Sequence, residues 1–197
     1  MRPRLVIFVK APLIGKAKTR LAADIGRVAA WREYRAMTAR ILRQVQSPKW
    51  DTVLAVTPAK WIDRMPLWDG LEQYAQVNGS LSPRLAQAFS GKGKTVVIGS
   101  DSPQVTGRDI DLAFKTILPD NFVFGPADDG GFWLMGAQGP LKRTVFDNVR
   151  WSTETTLSDL RKNLDGEIRL LRLLTDVDNL EALRLWRREL GQFGSQG

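Results

Sequence analysis

Along the chain, short apolar runs alternate with amphipathic stretches. LVIFV (5–9), TVLAV (52–56) and TVVIG (95–99) are uncharged and mostly β-branched, which predicts buried strands. NFVFG (121–125), FWLMG (132–136) and IRLLRLL (168–174) predict three more. Between the first two runs the apolar period lengthens. Trp31, Tyr34, Thr38, Ile41, Leu42 and Val45 recur at helical spacing and predict a helix over 28–46, stopped at Ser47-Pro48. PRLAQAF (83–89) predicts a short helix and EQYAQV (72–77) an edge strand, while the rest of 59–80 has no clear period. Thr106 with Asp109 three residues on has the form of a capping box, opening a helix over 107–118. Ser152 is placed to cap a helix over 153–164, and Asp178, with Glu181 three residues on, to cap a last one over 179–190.

Strand–helix alternation of this kind predicts an α/β fold, a mostly parallel sheet with helices on both faces. The 197 residues suit one domain, 1–197, with no internal repeat or long linker to divide them. No apolar run reaches the roughly 18–20 residues of a membrane span. The opening MRPRLVIFVKAP regains charge too soon for a signal peptide and reads as a first strand, so a cytoplasmic location is expected.

Composition narrows the chemistry. There is no cysteine and no histidine, which excludes disulfides, thiolate zinc sites, imidazole bases and Ser-His-Asp or Cys-His nucleophile systems. What remains is carboxylates, hydroxyls, cations, backbone groups and a hard metal ion, magnesium or manganese. The net charge of +8 fits either a nucleic-acid binder or a protein for small polyanions such as nucleotides. Residues 1–50 hold much of the excess, with only Asp24 and Glu33 as acids. Arg32, Arg35, Arg40 and Arg43 lie on the helix predicted at 28–46, with Arg27 just before it, and the five read as a solvated face.

In parallel α/β sheets ligands bind beyond the carboxyl ends of the strands, near the point where strand order reverses. The strand ends of this sequence are unusual. After the first run comes KAPLIGKAKTRLA (10–22), where Gly15 permits a tight turn and Lys10, Lys16, Lys18 and Arg20 supply charge for a diphosphate. The loop does not fit a Walker A pattern, and neither does GKGKT (91–95), which precedes a strand and reads as an exposed turn. After TVVIG comes Ser100-Asp101-Ser102-Pro103, where Asp101 either holds a metal against phosphate oxygens or caps the turn. After NFVFG comes GPADDGGFWLMG (125–136), where Asp128 and Asp129 meet a Gly130-Gly131 pair; the stretch is either a close approach of backbone to ligand or a DG-type turn. After IRLLRLL comes Asp176-Val177-Asp178-Asn179, a third acidic strand end. One cationic and three acidic loops together suggest a cation–diphosphate site.

These stretches, in this order and with the Trp151-Ser152-Thr153 step, resemble a glycosyltransferase-like family, the "transferase 1" proteins associated with radical-SAM and selenoprotein-like gene clusters. The resemblance spans about residues 4–184. It implies the GT-A fold of nucleotide-diphospho-sugar transferases. More distantly, the pattern is similar to phospholactate and molybdenum cofactor guanylyltransferases. The resemblance implies Gly15, Lys18 and Arg20 as phosphate binders; Lys10 and Ser100, at the same strand ends, are further candidates for binding the nucleotide phosphates. It implies Asp101 and Asp178 as ligands of Mg²⁺ or Mn²⁺, and it places Asp128 and Asp129 toward the acceptor or sugar as candidate catalytic residues. The first loop is poorer in glycine and serine than in those nucleotidyltransferases, and NGSLSPRL (78–85) is less acidic than in many relatives, which leaves Arg84 without an assigned role.

The expectation is a metal-dependent transferase using a nucleotide-activated donor, most directly glycosyl transfer from a nucleoside diphosphate-sugar to a small-molecule or glycan acceptor. The alternative is nucleotidyl transfer from a triphosphate with release of pyrophosphate, which the cationic loop also suits. A third reading, a basic module for nucleic acid, has the charge but no recognised motif and no aromatics interleaved with the basic residues, so no nucleic-acid partner is expected.

Overall fold

The computed structural model describes residues 2–194. Seven strands form one sheet in the order β3-β2-β1-β4-β6-β5-β7. They are β1 (Arg4–Lys10), β2 (Asp51–Thr57), β3 (Glu72–Ala75), β4 (Lys94–Ile98), β5 (Asn121–Pro126), β6 (Phe132–Gln138) and β7 (Glu167–Leu170). The helices are α1 (Thr19–Ile25), α2 (Arg27–Val45), α3 (Leu81–Ala88), α4 (Gly107–Thr116), α5 (Thr156–Asn163) and α6 (Leu180–Gly194). β1 pairs in parallel with both β2 and β4, so strand order reverses at the end of β1. β6 alone runs antiparallel, between β4 and β5. The carboxyl ends of the other six strands and the amino end of β6 therefore share one edge.

Period-2 alternation sorts the strand residues between two layers. Leu5, Ile7 and Val9 of β1 join Leu54, Ile98 and Leu134 beneath α2 and α4, which contribute Ile41, Val45, Ile110 and Phe114. Val6 of β1 joins Val97, Phe124 and Met135 beneath α3 and α5, which contribute Leu85 and Leu160. A third, smaller cluster joins Leu21 of α1, Met37 of α2 and Leu183 and Trp186 of α6 around Val177. The mixed α/β fold with helices on both faces is as the sequence predicts.

Local expectations mostly hold, with physical reasons where they do not. The Thr106–Asp109 capping box is present in both directions. The strand expected over 168–174 pairs only as Glu167–Leu170. Beyond it the chain keeps single contacts with β5, Leu171 N–H to Phe124 and Leu174 N–H to Pro126, while the Arg172 guanidinium leaves to hold Asp109. Ser152 does not cap α5. It has a left-handed backbone (φ 60°), and the helix starts four residues later behind Thr155. Nor does Asp178 cap α6. The Asn179 side chain accepts from the Ala182 N–H, and the Asp24 carboxylate accepts from the Leu180 N–H. α1 is a seven-residue helix that no apolar period announces, ended by Gly26 at φ 85°.

Candidate active site

β1 ends at Lys10, and the loop that follows is fixed before it reaches α1. Lys16 N–H closes a turn on Leu13 C=O, with Gly15 at φ 73° inside it. The Trp31 indole N–H donates to Pro12 C=O and ties the loop to α2. Gly15 thus supplies the turn and lies outside the pocket walls described below. Lys18 has a left-handed backbone (φ 51°), which in a residue bearing a Cβ costs about 1–2 kcal/mol. Its ion pairs offset that cost.

The Lys18 ammonium lies 2.5 Å from Asp101 Oδ1 and 2.6 Å from Asp178 Oδ1. The lysine side chain is 3% exposed, while the two carboxylates are 46% and 45% exposed. Burial alone would lower the Lys18 pKa, but the charges of Asp101 and Asp178 and their hydrogen bonds outweigh it and raise it above the usual lysine value. The residues predicted as phosphate binder and metal ligands are therefore one bonded cluster, assembled from α1, the end of β4 and the segment before α6.

Around this cluster opens a pocket of about 350 Å³. Its walls carry five cations, Lys10, Lys16, Lys18, Arg20 and Arg84, against the two carboxylates Asp101 and Asp178. Ser100 also lines it but is buried, and its hydroxyl is committed. The Tyr34 hydroxyl donates to Lys10 C=O and accepts from Lys10 N–H, so in its 3.2 Å contact with Ser100 Oγ the serine must be the donor. Burial, relieved by the Ser100 hydrogen bond, raises the Tyr34 pKa, so this phenol stays protonated and locks the ends of β1 and β4 together.

Arg84 and Gln76 belong to the same pocket, and sequence reasoning gave neither a role. The Gln76 side-chain amide donates to Ala55 C=O, and its oxygen accepts from Arg84 Nη1. Arg84 Nε is buried without a partner. A buried guanidinium N–H left unpaired costs free energy, and an anionic or carbonyl-bearing ligand would remove that cost.

A second cavity, of about 390 Å³, adjoins the first and shares Phe8, Arg20, Asp101 and Asp178 with it. Asp129 lines this cavity, with Oδ1 accepting the Gly131 N–H, whereas Asp128, exposed like Asp129, lies outside it. Gly130 is needed for chain packing. A Cβ there would sit 2.2 Å from Glu154 C=O, and the residue is at φ 84°. Asp176 lines the same cavity and accepts from the Ser102 hydroxyl. Burial, opposed by the Ser102 hydrogen bond and reinforced by the charges of Asp101, Asp129 and Asp178, pushes the Asp176 carboxyl up to about 6. The Asp-Val-Asp alternation around buried Val177 was the available signal that Asp176 and Asp178 share a side.

A divalent metal fits this donor set. Asp101 and Asp178 converge on one cation already, and both are hard oxygen donors. Among the described residues no three His, Cys, Asp or Glu side chains form a metal-holding group, so further ligands would come from phosphate oxygens and water.

A family model described as "Uncharacterized protein conserved in bacteria (DUF2064)" matches residues 40–153. No curated protein matches the sequence significantly. Among solved structures, a candidate nucleotide-diphospho-sugar transferase from Desulfovibrio desulfuricans G20 is similar over 95% of this chain and 87% of its own, at 27% identity and a TM-score of 0.85. A nucleotidyl transferase from Methanothermobacter is similar over 98% of this chain and 99% of its own, at 12% identity and a TM-score of 0.66. A Mycobacterium tuberculosis H37Rv protein in complex with manganese is similar over 94% of this chain and 97% of its own, at 20% identity and a TM-score of 0.51. The last two likenesses speak to the fold. Among the described residues no helix is long and apolar enough to cross a membrane.

Proposed function

The chain belongs to the bacterial family DUF2064, and from that membership and the geometry of the site we propose that it is a transferase acting on a nucleotide-activated donor, by glycosyl transfer from a nucleoside diphosphate-sugar. The carrying observation is the five-cation pocket built around the Lys18–Asp101–Asp178 cluster, at the carboxyl ends of β1 and β4 where strand order reverses. The likeness to the Desulfovibrio protein supports the same reading.

In this reading Lys10, Lys16 and Arg20 bind the diphosphate, and Arg84 takes an oxygen of the nucleotide at its unpaired Nε. Asp101 and Asp178 hold Mg²⁺ or Mn²⁺, which when bound neutralises phosphate charge and favours departure of the nucleotide. Tyr34 and Ser100 keep the strand ends in register and contribute no proton to the ligand. Asp129 stands across from the cationic pocket as the acceptor of the proton released by the attacking hydroxyl.

Nucleotidyl transfer remains the second reading, because five cations also suit a triphosphate and because the Methanothermobacter structure carries that activity in its name. Calorimetric titration with UDP, GDP, their sugars and the matching triphosphates, each with and without Mn²⁺, separates the two. Metal-dependent binding of one diphosphate-sugar, weakened at least tenfold in Arg84→Ala, supports glycosyl transfer. Binding confined to a triphosphate, with pyrophosphate release, would replace it, and no binding of any nucleotide would end both.

A further inference from the structure

The two cavities share walls but differ in charge. Four carboxylates, Asp101, Asp129, Asp176 and Asp178, line the second, and Arg20 is the one lysine or arginine in its walls among the described residues. Phe132 and Trp151 give it an aromatic side. Phe132 packs edge-on against both Phe124 (5.5 Å between centroids) and Trp151 (6.5 Å). The Trp151 indole N–H donates to Ser82 Oγ, so its polar atom is already satisfied and the ring can serve the cavity as apolar surface. The loop carrying Trp151 is held from behind, because Arg150 makes a two-pronged ion pair with buried Asp159 of α5. The volume of about 390 Å³ lies within the range of small-molecule sites.

We propose that this cavity is the acceptor subsite, and that its acceptor is a hydroxyl-bearing small molecule with an apolar face, neutral or carrying an ammonium group and not phosphorylated. The proposal rests on the transferase reading above. Ionised carboxylates only accept hydrogen bonds, so the partner must present donors, as hydroxyl and ammonium groups do. Lys18 already pairs with Asp101 and Asp178, which leaves Asp129 and Asp176 as the carboxylates without a cation, so a phosphate beside them, with Arg20 as the one wall cation among the described residues, would be disfavoured relative to the other cavity and its five cations. Aromatic and aliphatic walls suit the C–H face of a sugar or similar polyol.

This charge division favours glycosyl over nucleotidyl transfer to a phosphorylated molecule. The acceptor hydroxyl oxygen bonds to the anomeric carbon of the donor sugar, and the bond from that carbon to the diphosphate oxygen breaks. The nucleoside diphosphate leaves with the electron pair, and the hydroxyl proton passes to the Asp129 carboxylate.

Two measurements on the full-length protein keep the two ideas separable. Calorimetry with UDP and GDP plus Mn²⁺ reports the cationic pocket. Saturation-transfer NMR, run both with and without the nucleotide, then compares glucose, glucosamine and glycerol with glucose 1-phosphate, glucose 6-phosphate and glycerol 3-phosphate. At least one neutral or ammonium compound is expected to bind at least tenfold more tightly than its phosphate, and Asp129→Asn is expected to narrow that ratio. Equal or tighter binding of the phosphates, or no binding of any of the six, overturns the acceptor proposal even where the nucleotide binds normally. Absence of nucleotide binding counts against the transferase reading, whereas the preference among the six compounds still decides the ligand class of the cavity.

Discussion

The Lys18 ammonium and the Asp101 carboxylate, 2.5 Å apart, join the start of α1 to the end of β4 across 83 residues of sequence, and Asp178 closes the cluster from the other side at 2.6 Å. A buried side-chain cation thus stands where two candidate metal ligands converge. Replacing Lys18 by Met keeps most of the side-chain volume and removes the charge. The carboxylates then repel each other without a cation, and stability in EDTA is expected to fall by about 2 kcal/mol. Adding Mn²⁺ should recover much of that loss, so the thermal shift on adding metal should be larger in Lys18→Met than in the parent. A metal-induced shift no larger than the parent's would remove Asp101 and Asp178 as a metal pair.

Asp176 carries a stability penalty of opposite origin. Its carboxyl is pushed up to about 6, against about 3.9 in an unfolded chain, so folding is penalised once the group ionises. The penalty is absent below about pH 4, where both states are protonated, grows as pH rises toward 6 and is complete above it. Asp176→Asn, measured in EDTA, should therefore stabilise the protein at pH 8 by up to about 3 kcal/mol and leave it unchanged near pH 4. A stabilising substitution that also weakens acceptor binding is the pattern of a functional carboxylate held at the expense of stability. Equal destabilisation at both pH values would mean that the Ser102 hydrogen bond, and not charge, governs the residue.

Much of this architecture could be read locally. TVVIG has nowhere to go but a buried strand, and the Thr106–Asp109 box needs only four consecutive residues to form. The carboxyl-end rule points to the loops at one edge of the sheet, and Lys18, Arg20, Asp101, Asp178 and Asp129 line two adjoining cavities there. What failed depended on distant partners. Local capping chemistry predicts Asp178 as a helix cap, yet Lys18, 160 positions away, takes its carboxylate and leaves the cap to Asn179. The arginines of α2 point to the converse case: Arg27, Arg32, Arg35 and Arg43 are exposed, as their helical spacing predicts, while Arg40 departs from it, half-buried with Nε donating to Pro103 C=O. Arg84 could not be assigned from sequence, since its place in the cationic pocket follows from Gln76, whose amide is pinned to β2.

The Asp109–Arg172 pair gives a pH dependence of the usual acidic sign. Burial alone would raise the Asp109 pKa, but hydrogen bonds from Arg172 and Thr106 outweigh it and hold the carboxyl below its ordinary 3.8. A depressed carboxylate contributes stability that is complete above the unfolded pKa and is lost as pH falls through the folded value. Asp109→Asn should cost about 1–3 kcal/mol at pH 7, since it weakens both the α4 cap and the Arg172 ion pair. The difference from the parent should shrink steadily below pH 4. A difference constant from pH 7 to pH 3 would show that the pair does not titrate with folding.

The two glycines after Asp129 should respond differently to one added methyl group. At Gly130 an alanine Cβ would lie 2.2 Å from Glu154 C=O and 2.4 Å from Glu154 Cα, both backbone atoms, and the residue is at φ 84°. The left-handed backbone alone costs about 1–2 kcal/mol in alanine, and the clash must in addition displace the turn that follows Trp151. Gly130→Ala is therefore expected to lose more than about 2 kcal/mol and to impair acceptor binding through that turn. At Gly131 the nearest contact is Asp129 Oδ1 at 3.0 Å, the free end of a side chain, and φ is not left-handed. Gly131→Ala should fold with little loss, and any effect on turnover would run through Asp129. Denaturant melts of both variants decide the matter: comparable destabilisation would mean that Gly130 does not hold the Glu154 turn in the way its contacts indicate.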